Sequence, residues 1–115
     1  MADSCVFCAI VEGRIPSHKV YEDEKTLAFL DIHPSAPGHT LVIPKAHVAR
    51  VEDLLEEDAR YLFAALHRIV WRIQEAVGAP ASTISINNGR ESGQEVPHVH
   101  IHVIPRGKGD RGGII

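Results

Sequence analysis

Residues 55–77 read LEEDARYLFAALHRIVWRIQEAV and are followed by Gly78 and Pro80. Within them Leu55, Ala59, Leu62, Phe63, Leu66, Ile69, Val70, Ile73 and Val77 recur at the three- and four-residue spacing that collects one face of an α-helix, sustained for about six turns. Glycine and then proline supply the stop. A helix of this length needs a surface on which to bury its stripe, and the flanking sequence provides one. Residues 19–22 and 26–31 predict two strands about the turn-prone Asp23-Glu24-Lys25, and residues 40–43 a third that stops at Pro44, together an antiparallel meander. After the helix, residues 83–87 and 98–104 predict two more strands, separated by the polar loop 88–95. Residues 6–12 predict a short helix ended near Gly13. Strands, one long helix, then strands describe an α+β domain, an antiparallel sheet of about five strands with the helix packed on one face.

At 115 residues the chain is long enough for one buried core and too short for two. Its 44% hydrophobic and 23% charged residues are ordinary for a globular protein, which argues against disordered and fibrous classes. A formal net charge of -3 gives no basic field, so no nucleic-acid partner and no anionic membrane surface is expected; an anionic ligand needs a local site. No apolar run nears the roughly 20 residues that cross a bilayer, and Met1-Ala2-Asp3-Ser4-Cys5 lacks the regions of a secretion signal, so a cytoplasmic location is expected. In a reducing compartment the only cysteines, Cys5 and Cys8, point to metal binding or redox chemistry rather than a structural disulfide. The domain is expected to span residues 3–106, with the glycine-rich residues 107–115 as a loose tail.

Eight histidines are many for so short a chain, and three fall at alternate positions in His98-Val99-His100-Ile101-His102. Side chains alternate across a strand, so the three imidazoles share one face at a spacing of about 7 Å while Val99, Ile101 and Val103 share the other, toward the helix. A row of imidazoles adds nothing to a hydrophobic core. The chemistries that need clustered histidines are metal binding and proton or group transfer. A His-x-His pair with one further histidine suits catalytic zinc, so on this strand alone a zinc hydrolase stands beside a phosphoryl-transfer enzyme. The preceding loop, Asn87-Asn88-Gly89-Arg90-Glu91-Ser92-Gly93-Gln94, has the glycines and small polar residues that turn backbone N–H groups toward an anion, which favours phosphate.

These residues resemble the histidine-triad (HIT) family, and within it the purine nucleoside phosphoramidases. The likeness runs from Cys5 to Arg106 through Cys5-Val6-Phe7-Cys8, Ala28-Phe29-Leu30-Asp31-Ile32, Gly38-His39-Thr40-Leu41-Val42-Ile43-Pro44-Lys45-Ala46-His47 and Gly93-Gln94-Glu95-Val96-Pro97-His98-Val99-His100-Ile101-His102-Val103-Ile104. The resemblance implies a homodimeric hydrolase or transferase acting at the α-phosphate of AMP-type purine nucleoside phosphoramidates. It implies His100 as the nucleophile that carries the nucleotidyl group, with His102 and His98 completing the catalytic triad. His102 and the backbone of Gly93, Gln94 and Glu95 would hold phosphate oxygens, with Asn87 nearby. Asp31 would accept hydrogen bonds from both ribose hydroxyls, and Phe7, Ile10, Phe29 and Ile32 would form the nucleobase slot.

In relatives with Cys-x-x-Cys, the counterparts of Cys5, Cys8, His47 and His98 hold zinc, and a closed Cys2His2 set suits a structural ion. The alternative is two reduced cysteines packed as small hydrophobes. Glu95 departs from the Ser or Thr that relatives often place near the leaving group, and an ionised carboxylate accepts hydrogen bonds but donates none. The competing functions are a dinucleoside polyphosphate hydrolase and a non-catalytic nucleotide-binding interaction module. His18, His33 and His67 read as surface residues, Trp71 as a dimer contact or as partial packing on the sheet, and His39 has no role derivable from sequence.

Overall fold

The computed structural model describes residues 4–110. Its helices and strands run α1 (Val6–Val11), β1 (Lys19–Glu22), β2 (Thr26–Leu30), β3 (Thr40–Pro44), α2 (Glu56–Val77), β4 (Ala81–Ser85) and β5 (Ile101–Arg106). The five strands form one antiparallel sheet in the order β1-β2-β3-β5-β4, the α+β arrangement expected from the order of elements. α2 ends where Gly78 adopts φ 72°, a left-handed conformation that a side chain resists, and its N–H returns to the carbonyls of Gln74 and Glu75.

Both faces of the sheet are covered. Leu62, Ala65, Ile69 and Ile73 of α2 pack on Ala28, Val42, Val99, Ile101 and Val103. On the opposite face Phe7, Cys8 and Ile10 of α1 pack on Leu27, Phe29, Leu41 and Ile43. Strands buried on both sides read as continuous apolar runs, which is how β2 and β3 read. The apolar stripe of α2 is wider than the sheet covers, and Leu55, Phe63 and Val77 remain exposed.

The last two strands are displaced from their expected spans, to Ala81–Ser85 and Ile101–Arg106. β4 starts at Ala81 because Ala81 pairs with Arg106 and Ser82 with Pro105. β5 starts at Ile101 rather than at His98, because the backbone before it is consumed outside the ladder. The His98 N–H donates to Val96 (2.8 Å), the Val99 N–H donates to Val48 (2.7 Å), and the His98 carbonyl accepts from the His100 ring. Of the three alternating histidines, only His102 lies in a strand. In the expected tail, residues 107–110 close a turn in which Asp110 accepts from the Gly107 N–H, and residues 111–115 lie outside the described residues.

Candidate active site and metal centre

The chain between Val96 and Ile101 sends its histidine rings to two different places. His98 is fully buried, and its Nε2–H donates to the Pro44 carbonyl at 2.8 Å. A carbonyl only accepts, so Nδ1 is the unprotonated nitrogen, and it lies 3.4 Å from Cys5 Sγ and 3.6 Å from Cys8 Sγ. His47 Nδ1 lies 3.2 Å from Cys8 Sγ, and all four ligand atoms fall within 4.8 Å of one another. Ligands at zinc-binding distance on a tetrahedron are separated by about 3.5 Å, so this set fits the ion nearly as it stands. Burial and the adjacent Cys5 push the Cys8 thiol up to about 11, so a cation is what would hold the sulfurs as thiolates. With four protein ligands no coordination position is left for water, which makes the centre a structural one.

His100 and His102 line a cleft of about 570 Å³ bounded by α1, the β2–β3 connection and the loop before β5. Neighbouring groups fix the tautomer of each ring. His100 Nδ1–H donates to the His98 carbonyl at 2.7 Å, leaving the lone pair on Nε2. The Ser35 N–H donates to His39 Nδ1 at 3.0 Å, which places the His39 proton on Nε2. That Nε2–H donates to His102 Nδ1 at 3.0 Å, so the neutral His102 carries its own N–H on Nε2. The His100 and His102 rings, 5.1 Å apart between centroids, therefore offer a nucleophilic nitrogen and a hydrogen-bond donor side by side. Burial lowers the pKa of His39, helped by Arg106 and opposed by Asp31. Burial likewise lowers that of His102, helped by His100 and His39. Asp31, His39 and His102 form a second potential metal-binding group, but Ser35 occupies His39 Nδ1 and the two rings share a hydrogen bond, so the group holds a proton rather than an ion.

Most of the residues singled out from sequence meet in this cleft. Phe7, Ile10 and Phe29 line it as buried apolar groups, with the Phe7 ring edge-on to His100 at 5.0 Å and to Phe29 at 5.7 Å. Ile32, 80% exposed, stands at the rim. Asp31 lines the cleft with Oδ1 accepting from the His33 N–H at 2.9 Å. Asn87, Gly93 and Glu95 line its other side. Gln94 does not line the cleft: its amide accepts from the Gly89 N–H and donates to the Ala49 and Val96 carbonyls, bracing the loop. The His98 ring also stays outside and reaches the cleft only through its carbonyl.

His39 is the residue that sequence reasoning missed. Its placement follows from the β3–β5 register, in which Leu41 pairs with His102, and no local pattern around Gly38-His39-Thr40 carries that information.

Residues 12–109 match the HIT domain family. The chain is 47% identical over 115 residues to the Hit protein of Bacillus subtilis, spanning 99% of this chain and 79% of that one. It is 44% identical over 103 residues to the adenosine 5'-monophosphoramidase of Schizosaccharomyces pombe, spanning 90% and 74%. It superposes with a TM-score of 0.89, at 44% identity, on the crystal structure of a Zn-bound histidine triad family protein from Mycobacterium smegmatis, over 96% of this chain and 81% of that one. The family match takes in the whole sheet and every part of the cleft except α1, and with relatives this close over nearly the whole length, the chain belongs to the HIT family.

Proposed function

We propose that this protein hydrolyses AMP-type purine nucleoside phosphoramidates through a nucleotidyl-histidine intermediate. The observation that carries the reading is the pair of fixed tautomers, a lone pair on His100 Nε2 beside an N–H on His102 Nε2. In the first step the His100 Nε2 lone pair forms a bond to the α-phosphorus as the phosphorus–nitrogen bond breaks. The electron pair of that bond leaves with the amine nitrogen, which takes up a proton from water. Positive charge on the His100 ring is stabilised through its Nδ1–H on the His98 carbonyl. Water then attacks the phosphorus, the ring recovers its electron pair, and AMP and a proton are released. Two easier displacements replace one hard one.

His102 Nε2–H and the Glu95 N–H supply donors to the α-phosphate oxygens, whereas the N–H groups of Gly93 and Gln94 are bonded to the Arg90 and Gly89 carbonyls and only brace the loop. Asn87 borders the phosphate position, Asp31 receives the ribose hydroxyls, and Phe7, Ile10, Phe29 and Ile32 bracket the purine. The activity named for the fission-yeast relative supports an amine as leaving group.

Cys5, Cys8, His47 and His98 are read as a structural zinc site, in keeping with the Zn-bound mycobacterial relative. Bound zinc would supply folding energy at this corner and take no part in bond-making. Phe63, Leu66, Val70, Trp71 and Ile84 line an apolar groove between α2 and the edge strand β4, read as the homodimer face, and the reduced cysteine pair fits a cytoplasmic location.

The test is to compare kcat/KM for an adenosine phosphoramidate and a diadenosine polyphosphate, in wild type and in Glu95→Ser. A carboxylate at the mouth of the cleft attracts a departing ammonium and repels a departing polyphosphate. The wild type should therefore favour the phosphoramidate, and Glu95→Ser should narrow that preference by about fivefold. Preference for the polyphosphate would establish the dinucleoside polyphosphate hydrolase instead. AMP binding with turnover of neither would establish a binding module.

A further inference from the structure

Cys5 and Cys8 are a dithiol as well as half of a metal site. They stand one helical turn apart, the Cys8 N–H donates to Cys5 Sγ at 3.4 Å, and both are free thiols. Each sulfur faces the same nitrogen, His98 Nδ1, at 3.4 and 3.6 Å, and every ligand atom of the set lies within 4.8 Å of the others. Rotation about the Cα–Cβ bonds brings sulfurs so placed toward the roughly 2 Å of a disulfide, and Cys-x-x-Cys is a spacing that permits one.

The four ligands are not equivalent. Cys5, Cys8 and His98 are buried, whereas His47 is exposed. The His98 ring is tied down by its Nε2–H on the Pro44 carbonyl at 2.8 Å. The His47 ring has no hydrogen-bond partner but Cys8 Sγ, at 3.2 Å, among the described residues. Solvent therefore reaches the centre past His47, and the sulfur behind it is that of Cys8, with Cys5 deeper against His98.

We infer that Cys5 and Cys8 form a redox switch, in which a peroxide entering past His47 converts them to a disulfide, releases the zinc and weakens the nucleotide cleft. The Cys8 thiolate attacks one peroxide oxygen, the O–O bond breaks and hydroxide departs, leaving a sulfenic acid. The Cys5 thiolate then attacks the Cys8 sulfur and expels a second hydroxide. Two thiolates lose two electrons, hydrogen peroxide gains them, and the two hydroxides take up two protons as water. The ligand set is reduced to two imidazoles, too few to retain the ion. Drawing the sulfurs together turns the residues between them, and Phe7 is one of these, edge-on to His100 at 5.0 Å and lining the cleft. The inference rests on the zinc reading and adds a control over that site.

The experiment treats zinc-loaded protein with hydrogen peroxide beside an untreated sample. Zinc released to a chromogenic chelator, free thiols, the mass of the chain and its peptides, and AMP affinity by titration calorimetry are followed together. About one zinc and both thiols should be lost per chain, with a Cys5–Cys8 disulfide found in a single peptide. AMP should bind about tenfold more weakly, and dithiothreitol with added zinc should restore the starting affinity. Zinc and thiols that survive the peroxide, cysteines carried to sulfinic acid in place of a disulfide, or a disulfide that leaves AMP affinity unchanged would each overturn the inference. A chain that never takes up zinc would overturn the metal reading itself, and with it this one.

Discussion

His39 and His102 share one proton between Nε2 and Nδ1, and burial keeps both rings neutral. The consequence for stability has a definite sign. A histidine in the unfolded chain titrates near about 6.5, and both native values are lowered. As pH falls below that point the unfolded chain takes up protons that the native pair resists, so stability present above it is progressively lost on acidification. His39→Gln keeps a donor for His102 but no longer titrates. Its melting temperature, followed from about pH 7 to 5 with zinc saturating, should fall less steeply than that of the wild type. Equal slopes would contradict the assignment of this acid sensitivity to His39. At this scale the sequence was only partly legible. His98, His100 and His102 stand out by spacing, yet a period of two predicts three rings on one face. Instead the His98 ring goes to the sulfurs and the other two to the cleft, because hydrogen bonds to Val48 and Val96 take that backbone out of the ladder.

α1 has only six residues and joins the two centres. Cys5, its N-cap, accepts the Cys8 N–H at 3.4 Å, and both sulfurs face the His98 ring. Between them Phe7 lies edge-on to His98 at 5.9 Å and to His100 at 5.0 Å, and Ile10 lines the cleft one turn later. Loosening the metal corner should therefore loosen the nucleotide cleft. Cys8→Ser should lower the melting temperature by roughly 10 °C and weaken AMP binding by about tenfold, measured by scanning calorimetry and titration calorimetry. Elemental analysis of the wild type should find about one zinc per chain. No metal after refolding in zinc, or unchanged AMP affinity in the folded variant, would contradict this coupling. The short helix itself was legible before Gly13, but the face it covers was not announced. The clue lay in the strands, where Leu27, Ala28 and Phe29 and then Leu41, Val42 and Ile43 are apolar without alternation, as strands buried on both sides must be.

Over the whole molecule, the long helix and the antiparallel sheet follow from periodicity, whereas the α2 stripe was read as facing the sheet and is wider than the sheet. Trp71 is 65% exposed, Ile84 47% and Phe63 42%, and they line one groove beside the sheet edge formed by β4. If a second copy covers this face, Trp71→Glu should shift the protein from dimer to monomer in sedimentation at micromolar concentration, while a wild type that sediments as a monomer would refute the assignment. A net charge of -3 means that an anionic substrate is held by local donors, with the reaction itself concentrated on one nitrogen. The most direct measurement is therefore to mix the protein with an adenosine phosphoramidate, quench within a turnover and determine the mass of the intact chain and of its peptides. The account predicts one adenylyl group per chain, attached at His100 and absent from His100→Ala, which should still bind AMP but turn over at least about a thousandfold more slowly. Steady turnover by pure His100→Ala, or an adenylyl group on another residue, would contradict it.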